Sequence, residues 1–240
     1  MSQLTVDQLR EIRRLFPHTA QGKIYLNHAG TSPLSSRVVS AMTDYLRERS
    51  EGRLENYQHD LPMVDACKTM IQKLINAESA DRIALTANTS DAINIIASGI
   101  PWKSGDRILL NNVEFPANVW PYINLKRHGV ELDIMEGADG RITAEQIFEG
   151  ITGRTRLVAL SAVQFLSGYR ADLEAIGAFC RQRNIIFAVD AIQAVGAVRI
   201  DVQLMNIDAL AAGGQKWQTS PHGTGFLYIT EELQSKIQQS

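Results

Sequence analysis

Lys216 is the residue in this 240-residue sequence best set for covalent chemistry. It follows Gly213, Gly214 and Gln215 at the end of the apolar run 207–212. Such a run closed by Gly-Gly predicts a buried strand ending in a tight turn. An amine at the carboxyl end of a strand lies where open α/β sheets hold ligands. A Schiff base with a carbonyl compound is one chemistry open to it; an ordinary surface lysine after a strand has the same local pattern. Other polar residues also stand just past strand-like runs: Thr89 and Ser90, Glu114 and Phe115, Gln164, and Asp190 with Gln193. Thr89 or Ser90 is expected to cap the helix 92–98, and hydroxyls with free amides at a helix start also suit a phosphate. Asp190 closes the run 185–189. A carboxylate there is costly to bury without a cation. The protonated nitrogen of a pyridine ring would serve, and capping of the next turn would use an Asp as well.

The elements that must position these groups alternate along the chain. Apolar runs predict strands at 24–27, 82–86, 107–111, 130–135, 156–161, 185–189, 207–212 and 226–229. Helical spacing predicts helices at 5–15, 35–50, 61–77, 92–98, 118–128, 143–151, 172–183 and 231–239. Thr143 and Gln146 form a capping-box pattern. The stripes Val38, Val39, Met42, Tyr45, Leu46 and Met63, Val64, Cys67, Met70, Ile71, Leu74 are assigned to the core. Residues 28–33 read as a small-residue loop that lets backbone approach a neighbour closely. Apolar strands covered by amphipathic helices mean an α/β fold with a mainly parallel sheet.

Composition narrows the function. The chain is 45% hydrophobic with a formal net charge of −2 and a pI of about 6.2, so there is no basic footprint for nucleic acid. No apolar run has membrane-spanning length, and residues 1–7 lack the charged and apolar regions of a signal peptide. The only cysteines, Cys67 and Cys180, sit in helical patterns and suit a reducing cytoplasm. The scattered histidines suggest no metal site. No glycine fingerprint for a nucleotide occurs, which disfavours a nucleotide-binding domain.

In this order, the residues Thr89-Ser90, Glu114-Phe115, Asp190-Ala-Ile-Gln193 and Gly214-Gln-Lys216-Trp217 resemble the class V aminotransferase family of fold-type I pyridoxal-phosphate enzymes. The stretches 25–33 and 163–173 resemble it too, so the likeness covers roughly residues 22–230. It implies a three-layer α/β/α large domain at 23–240 after an N-terminal arm at 1–22. It also implies a pyridoxal 5'-phosphate cofactor, an amino-acid substrate and a homodimer. Lys216 would form the Schiff base and move the substrate's α-proton. Asp190 would pair with the ring nitrogen, Gln193 would donate to the ring's phenolic oxygen, and Phe115 would stack on the ring. Thr89, Ser90 and Gln215 would hold the phosphate. Gln164 would reach cofactor or substrate, and His28, Ala29 and Gly30 would meet the substrate. Gln215 stands where many members have histidine, and Gly213 where a hydroxyl residue is common. With the sequence ending at Ser240, the family's smaller C-terminal domain is expected to be missing. With it would go the carboxylate-gripping arginine and the desulfurases' cysteine loop. The implied function is a pyridoxal-phosphate enzyme acting on an amino acid. The cysteine desulfurase or selenocysteine lyase branch and a non-catalytic cofactor-binding domain are alternatives. Phe115, where desulfurases usually have histidine, points towards the kynureninase-like and epimerase-like branches.

Overall fold

Apolar runs bounded by turn residues become the strands of one sheet in the computed structural model, which describes residues 4–54 and 57–238. The seven strands are β1 Ile83–Thr86, β2 Arg107–Asn111, β3 Glu131–Met135, β4 Thr155–Ser161, β5 Ile186–Asp190, β6 Ala209–Gly213 and β7 Gly225–Ile229. Their order is β1-β7-β6-β5-β4-β2-β3. The pairs from β6 through β5, β4 and β2 to β3 are parallel, while β7 is antiparallel to both β6 and β1. The run 24–27 forms no strand, contrary to its apolar alternation. Ile24 and Leu26 are 88% and 83% exposed, and with no neighbouring strand there is no ladder to satisfy their backbone.

Alternate strand residues face opposite layers. Val158 and Leu160 of β4, Phe187 and Val189 of β5, and Leu210 and Ala212 of β6 belong to one core. Leu157 and Ala159, Ala188, and Ala209 and Ala211 belong to the other. The first core is closed by Ile75 at the end of helix α4 (Tyr57–Ile75), by α7 (Ala144–Gly150) and by α8 (Leu173–Arg181). The second is closed by α5 (Thr89–Gly99), Tyr122 of α6 (Trp120–Ile123) and Leu233 of α9 (Glu231–Gln234). The result is the expected α/β/α sandwich. The capping box of α7 forms as its sequence predicts, with a matching one at Thr5 and Gln8 on α1 (Val6–Arg14).

Three helix expectations need correction. The segment 118–128 is not one helix but 3-10 turns flanking the single turn α6. Pro116 and Pro121 lack the N–H that a continuous ladder requires. The predicted helix at 231–239 ends at Gln234, and its last position lies outside the described residues. The stripes of α3 (Ser36–Ser50) and α4 (Tyr57–Ile75) are not core. No residue of α3 is buried, and Ile75 alone is buried in α4. Val39, Met42, Tyr45, Leu46, Met63, Val64, Met70 and Leu74 are all exposed. The stripes are amphipathic, but among their described residues Ile71 of α4 packs against the core while most of the rest stay uncovered. Between α1 and α3 lies the short helix α2 (Pro17–Ala20). No described helix is long and apolar enough to cross a membrane.

Candidate active site

Lys216 sits on the loop that reverses the chain between β6 and β7. Gly213 pairs with Gly225 at the foot of this loop. Gly214 N donates to Thr224 O at 2.8 Å, Ser220 N to Gly214 O at 2.9 Å and Thr219 N to Lys216 O at 3.0 Å. Thr219 adopts a φ of 53°, a left-handed conformation that is rare for a β-branched residue and marks local strain. The lysine is half-buried, and its Nζ lies 5.7 Å from the centre of the Phe115 ring. Burial holds its ammonium below the ordinary lysine value, against the pull of Asp190.

Asp190 ends β5 and is 3% exposed. Its Oδ1 accepts from Ile192 N at 3.0 Å, so it does close the following turn. Among the described residues Oδ2 makes no hydrogen bond. Burial raises the carboxyl to about 7, with Glu114 adding to the rise and Lys216 opposing it. Asp190 thus holds one oxygen ready for a cation.

The start of α5 differs from expectation by one residue. Asn88 is the cap, its Oδ1 accepting from Asp91 N at 2.9 Å. Asn, Thr and Ser all cap well, and here the first of the three takes the position. Thr89 is left as the first helical residue, with a buried Oγ1 that has no partner among the described residues. A Cβ on Gly213 would stand 3.0 Å from that hydroxyl and 2.6 Å from Gln215 Oε1. Glycine at 213 therefore leaves a small cradle between Thr89 and Gln215, at the amino end of a helix. Ser90 is exposed and lines a groove of about 460 Å³ with Phe115 and Trp120.

The loop 28–33 is tied to the lysine segment. Ser32 N and Thr31 Oγ1 donate to Gln215 O at 2.9 and 3.2 Å. His28 stacks on Trp217 at 5.3 Å, and its Nδ1 lies 2.7 Å from Ser32 Oγ. Gln193 Nε2 donates to Ala29 O at 2.9 Å, and its Oε1 accepts from Trp217 Nε1 at 3.1 Å. In this structure the Gln193 amide therefore bridges two segments. The N–H of Gly30 is bonded within its own turn, to Asn27.

Phe115 is partly exposed and meets Phe165 edge-on at 5.2 Å. The acid before it has a role that its sequence position did not reveal. Glu114 is buried and accepts from Asn111, Asn118, Gln164 and the backbone and hydroxyl of Ser161. Gln164 is anchored by this contact, with its Oε1 buried and unpartnered among the described residues. Asn111, Asn118, Ser161 and Tyr122 were not singled out from the sequence. Only the spacing of Asn111, Glu114 and Asn118 around a turn could have signalled the first two.

These groups fit pyridoxal phosphate. Thr89 Oγ1 and the cradle at Gly213 suit its phosphate, and Phe115 offers a wall for its ring. Asp190 Oδ2 suits a protonated ring nitrogen, and Lys216 is an amine whose charge burial disfavours.

Residues 24–240 match the family model described as aminotransferase class-V. A probable cysteine desulfurase of Methanothermobacter thermautotrophicus is 30% identical over 239 residues, covering 98% of this chain and 58% of that protein. One from Pyrococcus abyssi is 34% identical over 231 residues, covering 93% and 57%. Among solved structures, the apo cysteine desulfurase of Thermococcus onnurineus NA1 superposes with a TM-score of 0.86 at 27% identity, covering 99% of this chain and 60% of the other. The cystine C-S lyase C-DES, solved with cysteine persulfide, gives 0.85 at 26% identity, covering 94% and 61%. This chain thus spans about three fifths of the length of these relatives. The relatives are desulfurases and a lyase by name, not the branches to which Phe115 pointed. The family's cofactor is pyridoxal phosphate, as the resemblance implied. This chain belongs to the class V aminotransferase family.

Proposed function

We propose that this chain is the cofactor-binding part of a pyridoxal-phosphate enzyme that acts on an amino acid, and that the amino acid is cysteine. The observation that carries the cofactor reading is the buried Lys216 and Asp190 pair, set beside an orphaned Thr89 hydroxyl and the cradle at Gly213. The choice of cysteine rests on the desulfurase and lyase relatives.

Each residue has a physical part. Thr89 and the first amides of α5 meet the phosphate, with Ser90 and Gln215 beside them. Phe115 packs on the ring, while Gln193 and Gln164 offer amide groups at its edge. His28, Ala29 and Gly30 form the substrate side of the loop above Trp217. Lys216 binds the cofactor covalently, and its burial favours the neutral amine that can take up the substrate's α-proton and return it. Asp190 keeps the proton on the ring nitrogen through a charge-assisted hydrogen bond. When bound, the cofactor supplies the electron sink for that proton transfer. Cys180 is buried, and burial pushes its thiol up to about 12, so it is not a reactive thiolate.

The exposed stripes of α3 and α4 support a homodimer, since a second copy could cover them. Two free cysteines, Cys67 and Cys180, support a cytoplasmic location.

Borohydride reduction of protein incubated with pyridoxal phosphate, followed by peptide mapping, tests the reading. The expected label is on Lys216. Label on another lysine, or on none, refutes it. Loss of sulfur from added cysteine then separates the desulfurase branch from other amino-acid chemistry.

A further inference from the structure

Glu114 is the most heavily hydrogen-bonded side chain of the site. Asn111 Nδ2 and Ser161 N donate to its Oε1 at 2.8 Å, and Gln164 Nε2 at 2.7 Å. Asn118 Nδ2 donates to its Oε2 at 3.0 Å, and the Ser161 hydroxyl donates to the same oxygen. Five donors and no acceptor face it, which is the setting of a carboxylate anion. The group is 7% exposed, and among the described residues no Lys, Arg or His forms an ion pair with it. Its donors satisfy the oxygens without cancelling the charge, so the charge acts on whatever lies near it in the low-dielectric interior.

What lies near is Asp190: Ser161, which donates to Glu114 through both its backbone and its hydroxyl, is the partner of Asp190 in the parallel register of β4 and β5. The titratable groups that face Asp190 are Glu114 after β2, Lys216 after β6 and Tyr122 on α6. The Tyr122 hydroxyl is buried and unpartnered among the described residues. It too feels both carboxylates, which together with burial hold its proton on. Lys216 is the one cation of the set, and burial disfavours its charge. The cofactor-free site is therefore an arrangement of two acids short of positive charge.

We propose that Glu114 is a positioning residue that acts through Asp190: a buried second anion that makes the site demand a cation at Asp190 Oδ2. The inference rests on the cofactor reading above and deepens it, because the demanded cation is the protonated ring nitrogen. Asp190 would hold that nitrogen, with Glu114 behind Asp190 setting the strength of the demand. The same hydrogen bonds tie the Phe115 turn and Gln164 to the end of β4, so field and geometry have one source.

The test begins without cofactor. Carbon-13 carboxyl signals of aspartate side chains are followed against pH, and Asp190→Asn identifies the Asp190 signal. Removing the charge in Glu114→Gln should lower the Asp190 midpoint by about one pH unit, a tenfold change in its acid constant. Glu114→Met removes the charge without offering a donor to the cluster, and it should act alike if Glu114→Gln does not fold. Glu114→Asp keeps the charge on a shorter stem and should keep the midpoint near that of the parent. A midpoint that stays put in the neutral variants overturns the proposal. So does one that falls equally in Glu114→Asp, because the role would then be packing alone. In loaded protein, the bound cofactor's absorption should titrate at lower pH in the neutral variants than in the parent, and an unchanged profile also counts against the proposal. If the carboxyl titration moves as expected while no cofactor binds, the cofactor reading falls and the coupling of the two acids stands.

Discussion

Replacing Asp190 by Asn should make the cofactor-free protein more stable, and increasingly so as the pH rises. The ordinary carboxyl value is 3.8, and burial raises Asp190 to about 7. Between these values the native state keeps a proton that the unfolded chain has already released. Folding then takes up a proton, so stability falls with rising pH by about 1.4 kcal/mol per unit. The loss begins near the unfolded value and is complete just above the native one, about 4 kcal/mol in all. The amide of Asp190→Asn carries no charge in either state, and its side-chain oxygen can still accept from Ile192 N. The variant should therefore gain about 3 kcal/mol on the parent between pH 5 and pH 8. Asp208, also raised by burial, adds a similar slope to both proteins and drops out of the difference. Lys216 is lowered, so its effect has the opposite sign: stability rises with pH below its ordinary value of 10.5. Urea unfolding of both cofactor-free proteins at several pH values is the assay, and the expected divergence is a midpoint difference of about 1 M. Parallel curves would refute a buried, proton-holding Asp190.

Other changes should separate binding from stability. Thr89→Val removes a buried hydroxyl without a partner, so unfolding should be unaffected or slightly harder, while cofactor affinity in a fluorescence titration drops about tenfold, one lost hydrogen bond to a charged group. Gly213→Ala puts a methyl 2.6 Å from Gln215 Oε1 and 3.0 Å from Thr89 Oγ1. The glutamine amide can swing aside, so calorimetry should show little loss of Tm while equilibrium dialysis shows weaker pyridoxal phosphate binding. Gly177→Ala should behave the other way, because its methyl would meet the Met205 carbonyl oxygen at 1.8 Å. That atom is backbone and cannot step aside, so a stability loss of about 3 kcal/mol or more is expected in urea unfolding.

Much of this arrangement could be read from residue patterns. Apolar runs placed all seven strands, and the residues that close four of them, Asn111, Ser161, Asp190 and Gly213, marked functional ends. The reversal of β7 was missed, although a signal was present: residues 214–224 are too few for the crossover that a parallel neighbour needs. The cap of α5 was misplaced because Asn88, Thr89 and Ser90 are all capping types, and sequence does not rank them. The stripes of α3 and α4 announce amphipathic helices, but a stripe says nothing about where its covering surface comes from. The cluster at Glu114 was invisible for another reason. Its donors come from positions 111, 118, 161 and 164, and only folding brings β2 beside β4.

The antiparallel pairing of β1 with β7 joins residues 83–86 to residues 225–228. Roughly 140 residues must be looped out before this contact forms, and distant pairings of this kind come late and slowly. Thr89 follows β1 directly, and Gly213 and Lys216 lie between β6 and β7. The two sides of the phosphate cradle therefore meet only when the last strand is in place. On a ribosome, a chain not yet extended through Ile229 would have every other strand available but no complete seat for the cofactor. Cofactor capture would thus register the completion of the sheet and arrive as a late event in the life of the chain.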